Sequence, residues 1–125
     1  MILYSVRNKQ RVGYCRLRQT TSGDLEIAYM KVDPDWRGRG LATTLLNRAK
    51  AQAQKADVDL VAFLDPDGTG LTVSEEVDWL KRHGFKHRRW YDLSDTRITT
   101  FSQFVRHKPK NRPVMIWYVD LHRQT

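Results

Sequence analysis

The sequence is poor in cysteine and proline and has no long apolar run. Its 125 residues include one cysteine and four prolines. The single cysteine, Cys15, excludes an internal disulfide and fits a reducing compartment, so we expect a cytoplasmic protein. Cys15 has no histidine nearby in the sequence, and we interpret it as a packed small residue. No apolar stretch reaches the ~18 residues of a membrane span, and Met1–Arg7 is not typical of a signal peptide. No membrane partner is predicted.

Acidic residues are outnumbered, with 14 Asp and Glu against 22 Lys and Arg, so the formal net charge is +8. The excess is concentrated between Lys81 and Arg112, where ten basic residues face only Asp92 and Asp95. Such a segment favours an acidic partner: nucleic acid or tRNA, an acidic protein surface, or cofactor phosphates. The four histidines lack the spacing of a metal site, so no metal is predicted.

A strand is predicted to become a helix through a glycine-rich turn. Leu25–Val32 is mostly apolar or aromatic, which indicates a strand, and Pro34 should end it because proline cannot donate to a sheet. From Leu41 to about Ala56 the apolar residues recur at helical spacing. Gly38 and Gly40 therefore precede a helix N-terminus, where backbone N–H groups have no helical partner.

This turn has the composition of an anion site. Arg37 and Arg39 add positive charge to the helix N-terminus, and glycine lets the backbone approach a ligand closely. We therefore predict that the turn holds a phosphate group. A Walker loop is excluded because no Gly-Lys-Ser/Thr is present, and Thr43 replaces the third glycine of a dinucleotide fingerprint. A basic turn without a ligand is the alternative.

The other segments predict a mixed α/β (α+β) fold in one domain, residues 1–125. Ile2–Val6 and Val12–Arg18 are expected to form an antiparallel hairpin. A buried strand at Val58–Leu64 should lie parallel to Leu25–Val32, because a helix joins the two in a right-handed crossover.

A second helix is predicted at Val73–His83. Thr72 and Glu75 have the spacing of a capping box, and Gly84 would close the helix. Its inner face should carry Val73, Val77 and Leu80. Further strands are expected at Phe85–Tyr91 and Pro113–Leu121, with a short helix between them.

The segment around the turn resembles motif A of the GNAT acetyltransferase superfamily. In that motif an Arg or Gln is followed by two residues, a Gly, one residue and a Gly or Ala. Arg37, Gly40 and Ala42 fill these positions. His83-Gly84-Phe85 is similar to the family's second signature, a helix that ends in Gly-Phe. The resemblance covers roughly residues 10–91, and it implies a largely antiparallel central sheet with helices packed on it.

The resemblance implies acetyl-coenzyme A as co-substrate and an N-acetyltransferase activity toward a primary amine, with a protein lysine or N-terminus favoured as acceptor. It also implies which residues hold the co-substrate. Backbone groups of Met30, Lys31 and Val32 would contact the pantetheine arm. The pyrophosphate would be held by the turn, through Arg37, Gly38, Arg39, Gly40, Leu41, Ala42 and Thr43.

The resemblance also assigns catalytic residues. Glu26 lies eleven residues before Arg37, an offset at which lysine-acetylating members carry a glutamate that acts as general base. A solvated surface glutamate is the alternative. Leu80 replaces the tyrosine that often serves as general acid. The candidates in its place are Tyr91, Tyr29 and Ser74.

The N-terminal part departs from the family. The pair of helices that usually follows the first strand and covers the acceptor site has no room here. This abbreviated layout resembles short acetyltransferases encoded by bacteriophages. An open acceptor side favours a protein substrate, and a homodimer could replace the missing helices. The alternative function is a catalytically inactive GNAT-like binding module that uses residues 81–112 for a protein or nucleic-acid partner.

Overall fold

Six strands and two α-helices form within residues 1–20, 23–62, 70–88 and 114–122, which are the parts of the chain that the computed structural model describes. The strands are β1 (Ile2–Arg7), β2 (Gln10–Gln19), β3 (Leu25–Val32), β4 (Leu60–Ala62), β5 (Lys86–Arg88) and β6 (Val114–Trp117). The helices are α1 (Leu41–Ala56) and α2 (Val73–Arg82). Short 3-10 helices cover Pro34–Trp36 and Val119–His122.

The strands form one mixed sheet in the order β1-β2-β3-β4-β6-β5. β3 and β4 run parallel on either side of the α1 crossover, and every other neighbouring pair runs antiparallel. The predicted mixed, largely antiparallel sheet is therefore confirmed, and so is the parallel pair.

β1 and β2 form a hairpin through a two-residue turn. Asn8 and Lys9 have φ values of 51° and 64°, and positive φ at both positions is what the commonest hairpin turn requires. The two strands and this turn account for nearly all of residues 1–20. The predicted absence of a helix pair after the first strand is thus confirmed for this described part of the chain.

Both helices pack on the same face of the sheet. The predicted stripe of α1 is buried, except that Ala56 at the helix end is exposed. Lys50 of α1 donates a hydrogen bond to the carbonyl oxygen of His83, just after α2. The shared core cluster includes Leu45 and Leu46 of α1, Leu80 of α2, and Cys15, Leu17, Ile27, Met30 and Leu60 of the sheet.

α2 begins with the predicted capping box. Glu75 N donates to Thr72 Oγ1 at 3.2 Å, and Thr72 N donates to Glu75 Oε1 at 3.0 Å. These hydrogen bonds hold the pKa of Glu75 below its usual value. The predicted inner face is wrong at Val73, which is 38% exposed, because the buried stripe runs through Glu76 and Leu80 instead.

Three expected segments are shorter in the described residues. β4 begins only at Leu60. Asp57 ends α1 in the left-handed conformation, and Val58 and Asp59 connect the helix to the strand. β5 begins after Phe85, which is buried in the core, and β6 ends at Trp117, because a 3-10 helix begins at Val119. The short helix expected within 92–112 lies outside the described residues.

In the described part, neither helix is long and apolar enough to cross a membrane.

Cys15 is a core residue, as interpreted. It lies on β2, and its side chain is fully buried in the cluster with α1. Burial raises the pKa of its thiol to about 12, and the positive charge of Arg48 offsets this only partly. The thiol is therefore inert under native conditions.

Cys15 should resist alkylation in the folded protein, since only the thiolate reacts. At about pH 8 we expect iodoacetamide to label the native thiol at least ~100-fold more slowly than in concentrated guanidinium, measured by mass spectrometry. Leu121→Cys is the matched control, because Leu121 is 65% exposed and its thiol should react at once in the folded state. Equal rates for Cys15 in the two states would contradict its burial.

Candidate functional site

A β-bulge in β3 decides which way its side chains point. The register with β2 shifts at Ala28, which is not matched to a β2 residue. One extra residue interrupts the alternation of side chains between the two faces. Ile27 and Met30 therefore both face the helices, where they are fully buried. Glu26 and Tyr29 lie opposite Arg18 and Arg16, on the other face.

The described pairing between β3 and β4 is short. It joins Leu25–Ile27 to Leu60–Ala62, whereas β3 continues to Val32 with β2 along its other edge. At about 3.3 Å per residue, the stretch from Ile27 to Val32 is roughly 16 Å long. This stretch contains Met30, Lys31 and Val32, the residues predicted to contact the pantetheine arm.

After β3, two glycines shape the turn into α1. Gly38 and Gly40 have φ values of 76° and 81°, and a Cβ at either position would meet nothing within 4 Å. The backbone conformation, rather than crowding, therefore requires glycine here. Gly40 is the N-cap of α1, and among the described residues no side chain caps the helix. The first N–H groups of α1 and the positive end of its dipole are left for a ligand.

Two arginines are held at this turn. Arg37 Nε donates to the carbonyl oxygen of Val32 at 3.1 Å, which ties the turn to the end of β3. Its guanidinium also lies against Gly70, where an added Cβ would come within 2.6 Å of Nη1. The guanidinium of Arg39 lies 4.7 Å from the centre of the Trp36 ring. Positive charge is therefore fixed beside the uncapped helix end.

A cavity of about 470 Å³ opens beside the turn. The predicted residues that line it are Val32, Arg37, Gly38, Gly40, Leu41, Ala42 and Thr43. Met30, Lys31 and Arg39 do not line it: Met30 is fully buried, and the other two are exposed. The structure thus brings most of the predicted binding residues around one space.

The opposite wall of the cavity comes from α2 and was missed by sequence reasoning. It consists of Glu75, Asp78, Trp79 and Arg82. Their spacing of i, i+3, i+4 and i+7 places them on one stripe of the helix. That stripe is visible in the sequence, but its position opposite α1 depends on how the two helices pack. Trp79 adds an aromatic surface to the cavity, and Arg82 adds a further cation.

Glu26 is fully buried on the face opposite the helices, so the alternative of a solvated surface glutamate is wrong. Arg18 lies directly opposite on β2, with Nη2 3.6 Å from Glu26 Oε2. Glu26 is also one residue before the end of the described β3–β4 pairing. A carboxylate is therefore held near the end of the described β3–β4 pairing.

The candidates for a general acid are less well placed. Tyr91 lies outside the described residues. Tyr29 is half-buried on the same face as Glu26. Ser74 is exposed in the first turn of α2. Leu80 is a core residue at 2% exposure, so the position of the family's tyrosine has a packing role here.

Two further predictions concern the basic segment 81–112 and a metal ion. Of the basic segment, the structure describes residues 81–88, and the remainder lies outside the described residues. Within residues 1–20, 23–62, 70–88 and 114–122, no group of three or more His, Cys, Asp or Glu side chains could hold a metal ion.

Comparison with known proteins gives a family and a fold. The sequence model of the Acetyltransferase (GNAT) domain family matches residues 2–87. No curated protein matches the chain. A GNAT-family acetyltransferase from Staphylococcus aureus is similar in structure, with 16% identity, a TM-score of 0.68, and coverage of 91% of this chain and 65% of that one.

Two further similar structures contain coenzyme A. N-acetylglutamate synthase from Neisseria gonorrhoeae, complexed with coenzyme A and N-acetyl-glutamate, has 20% identity, a TM-score of 0.64, and coverage of 88% and 23%. Rv2747 from Mycobacterium tuberculosis, in complex with CoA, has 18% identity, a TM-score of 0.65, and coverage of 92% and 74%. The chain spans 23% and 65% of the Neisseria and Staphylococcus proteins. At these identities the likeness shows the fold.

Proposed function

Because the chain belongs to the GNAT acetyltransferase family, we propose that it transfers the acetyl group of acetyl-coenzyme A to a primary amine of a protein. The observation that carries this proposal is the uncapped N-terminus of α1, which opens into a cavity beside two glycines and Arg37. The lone buried Cys15 fits a cytoplasmic setting for this activity.

The turn fits a pyrophosphate. The N–H groups of Leu41, Ala42 and Thr43 have no earlier helical carbonyl to pair with, and all three residues line the cavity. An anion there gains hydrogen bonds and the favourable end of the helix dipole. Since Gly38 and Gly40 carry no Cβ, its oxygens can approach the backbone closely.

β3 fits the elongated pantetheine arm. Met30 and Val32 lie beyond the described pairing of β3 with β4, and on the edge of β3 away from β2 their backbone groups can bind the amides of the arm. Acetyl-coenzyme A supplies the acetyl group as a thioester. An arm that runs along β3 from the turn brings this thioester toward the end of the described β3–β4 pairing, where Glu26 lies.

Glu26 would take the proton that the acceptor amine loses. Only the neutral amine attacks a thioester, so a nearby base raises the rate at neutral pH. The buried carboxylate is fixed by Arg18, with 3.6 Å between Nη2 and Oε2. For the proton that goes to the departing thiolate, Tyr91 and Tyr29 stay candidates. The thiolate of coenzyme A is a weak enough base to leave without a protein donor, and it can then take its proton from water.

A protein acceptor is supported by the exposed surface of β1–β3 beside Glu26, because within residues 1–20 and 23–62 no helix pair covers this side of the sheet. The alternative of a non-catalytic binding module depends on residues 81–112, most of which lie outside the described residues. No described contact favours that alternative, or binding to nucleic acid through this segment, over acetyl transfer.

Acetyl-coenzyme A should stabilise the protein against heat. Ligand at about 100 times its dissociation constant adds about 2.7 kcal/mol, which raises the melting temperature by several degrees in a domain of this size. Gly40→Asp should abolish the rise, because it puts a negative side chain at the helix N-terminus. Differential scanning fluorimetry with and without acetyl-coenzyme A measures both effects.

Gly23→Asp is the matched control. Gly23 also has positive φ, at 96°, and an added Cβ there would likewise meet nothing within 4 Å. Both variants therefore carry similar backbone strain, but Gly23 lies in the turn between β2 and β3 and should keep the ligand-induced rise. If wild type shows no rise, or if both variants lose it equally, the turn is not the binding site.

Glu26→Gln should keep acetyl-coenzyme A binding and lose turnover mainly at neutral pH. We expect a loss of about 100-fold near pH 7.5, because the protonated amine then lacks a base. The loss should shrink toward high pH, where the amine is already neutral. Thiol release during acetylation of a lysine peptide measures the rate across this pH range.

The melting temperature of each sample is measured with and without acetyl-coenzyme A. This control distinguishes a loss of catalysis from a loss of folding. Gln is nearly isosteric with Glu, so the shift should match wild type. Turnover in Glu26→Gln that equals wild type at every pH would remove Glu26 from the mechanism.

A further inference from the structure

Three tyrosines form a row across β1, β2 and β3 on the sheet face opposite the helices. Tyr4 lies directly opposite Tyr14, with ring centroids 6.4 Å apart. The Tyr14 ring lies 5.8 Å from that of Tyr29. All three residues are half-buried. Aromatic rings at these distances attract each other, so the row is a preformed surface that still reaches solvent.

Cations surround this row. Arg11 places its guanidinium 4.0 Å from the centre of the Tyr4 ring. Residues directly opposite in a sheet share a face, and in β2–β3 these pairs are Tyr14 with Lys31, Arg16 with Tyr29, and Arg18 with Glu26. We define the tyrosine face as Tyr4, Arg11, Tyr14, Arg16, Arg18, Tyr29 and Lys31. Within β1, β2 and β3 the one acidic residue is Glu26, so the tyrosine face is positive.

This sheet face is exposed on β1–β3 and covered on the next two strands, β4 and β6. On β4 and β6 the equivalent positions, Val61 and Ile116, are 3% and 6% exposed. On β1, by contrast, Ile2 is 41% exposed, and Arg16 and Lys31 are exposed on β2 and β3. Glu26 therefore lies between a closed and an open region of the same sheet face.

We propose that the tyrosine face docks a segment of the acceptor protein in which acidic residues flank the acetylated amine. This inference rests on the proposed function, because an amine that reaches Glu26 lies on the face that Glu26 shares with the tyrosines. Acidic side chains of the segment pair with Arg11, Arg16 and Lys31, and its apolar atoms pack on the tyrosine rings. The acceptor itself then covers the face.

Single-stranded nucleic acid is complementary in charge to the tyrosine face, but the arrangement of the tyrosine rings does not suit base stacking. Base stacking needs accessible ring faces, whereas Arg11 lies over the face of Tyr4. The neighbouring rings are also tilted by 52° and 36° to each other and cannot present one flat platform. These observations favour an acidic peptide.

The test measures binding separately from turnover. Three labelled peptides, each with one central lysine flanked by Glu, Gln or Lys, are titrated with the full chain by fluorescence anisotropy in the presence of coenzyme A, which has no acetyl group to transfer. We expect the Glu-flanked peptide to bind about tenfold more tightly than the Gln-flanked one at low salt. The difference should fall to about twofold near 0.5 M salt, because the charges are screened.

Reversal of the charge should reverse the preference. Arg11→Glu combined with Arg16→Glu is expected to favour the Lys-flanked peptide. The matched control, Lys55→Glu with Lys81→Glu, changes the net charge equally in the last turns of α1 and α2 and should keep the wild-type preference. If the charge-reversed protein unfolds, Arg11→Gln with Arg16→Gln should still reduce the tenfold preference to below about threefold.

Equal binding of the Glu-flanked and Gln-flanked peptides overturns the proposal, as does an equal loss in the control variant. Tighter binding of a labelled oligothymidylate, lost in the Arg11/Arg16 variant, would assign the face to nucleic acid instead. A dimer in sedimentation velocity that becomes monomeric in this variant would assign it to a second copy of the chain.

Failure of the docking inference is distinguishable from failure of the proposed function. Acetyl transfer to all three peptides without any charge preference overturns the docking surface and leaves the reaction intact. Charge-dependent peptide binding without an acetyl-coenzyme A melting shift, and without transfer, overturns the reaction and leaves the docking surface supported.

Discussion

The left-handed backbone at Gly38 and Gly40 is the constraint on which the rest of the site depends. With φ of 76° and 81°, the chain leaves β3 and enters α1 without a side chain over the first turn. A Ser or Asp at the N-cap would accept a hydrogen bond from one of the N–H groups of that turn, and an anion would then have to displace the cap. Glycine gives up that stabilisation, and Arg37 compensates by fixing the turn to the Val32 carbonyl oxygen.

The bulge at Ala28 has a comparable effect on the chemistry. With unbroken alternation, Glu26 would share a face with Met30 and Val32, and its carboxylate would enter the apolar core under α1 at a large desolvation cost. The extra residue moves Glu26 to the other face, opposite Arg18. β3 can therefore bury Met30 against the helices and still hold a carboxylate on the opposite side. Bulges are common next to active sites for this reason.

Local signals were sufficient for β3, α1 and the turn between them. Pro34, the two glycines and the helical spacing from Leu41 act within a few residues, and the predicted bounds of β3 and α1 agree with the structure. The bulge could not be predicted, because register depends on the partner strand. The α2 wall with Trp79 and Arg82 depends on helix packing, and the tyrosine row depends on pairings between three strands. Glu76 shows the same limit, since periodicity does not predict a buried acid.

The cavity for the anionic ligand and the surface that we propose for the acceptor lie on opposite faces of one sheet. α1 and α2 both lie on one face, and the cavity between them presents backbone N–H groups and arginines to an anionic ligand. Glu26 points to the other face, beside the exposed part of β1–β3, so the acceptor that we propose would lie on the opposite side of the sheet from that ligand. Within the described residues, no helix pair covers β1–β3 to form a closed pocket for the acceptor that we propose. Affinity for an acceptor would then come from the surface that the acceptor buries on the sheet, and the preformed tyrosine row lowers the entropic cost of that contact.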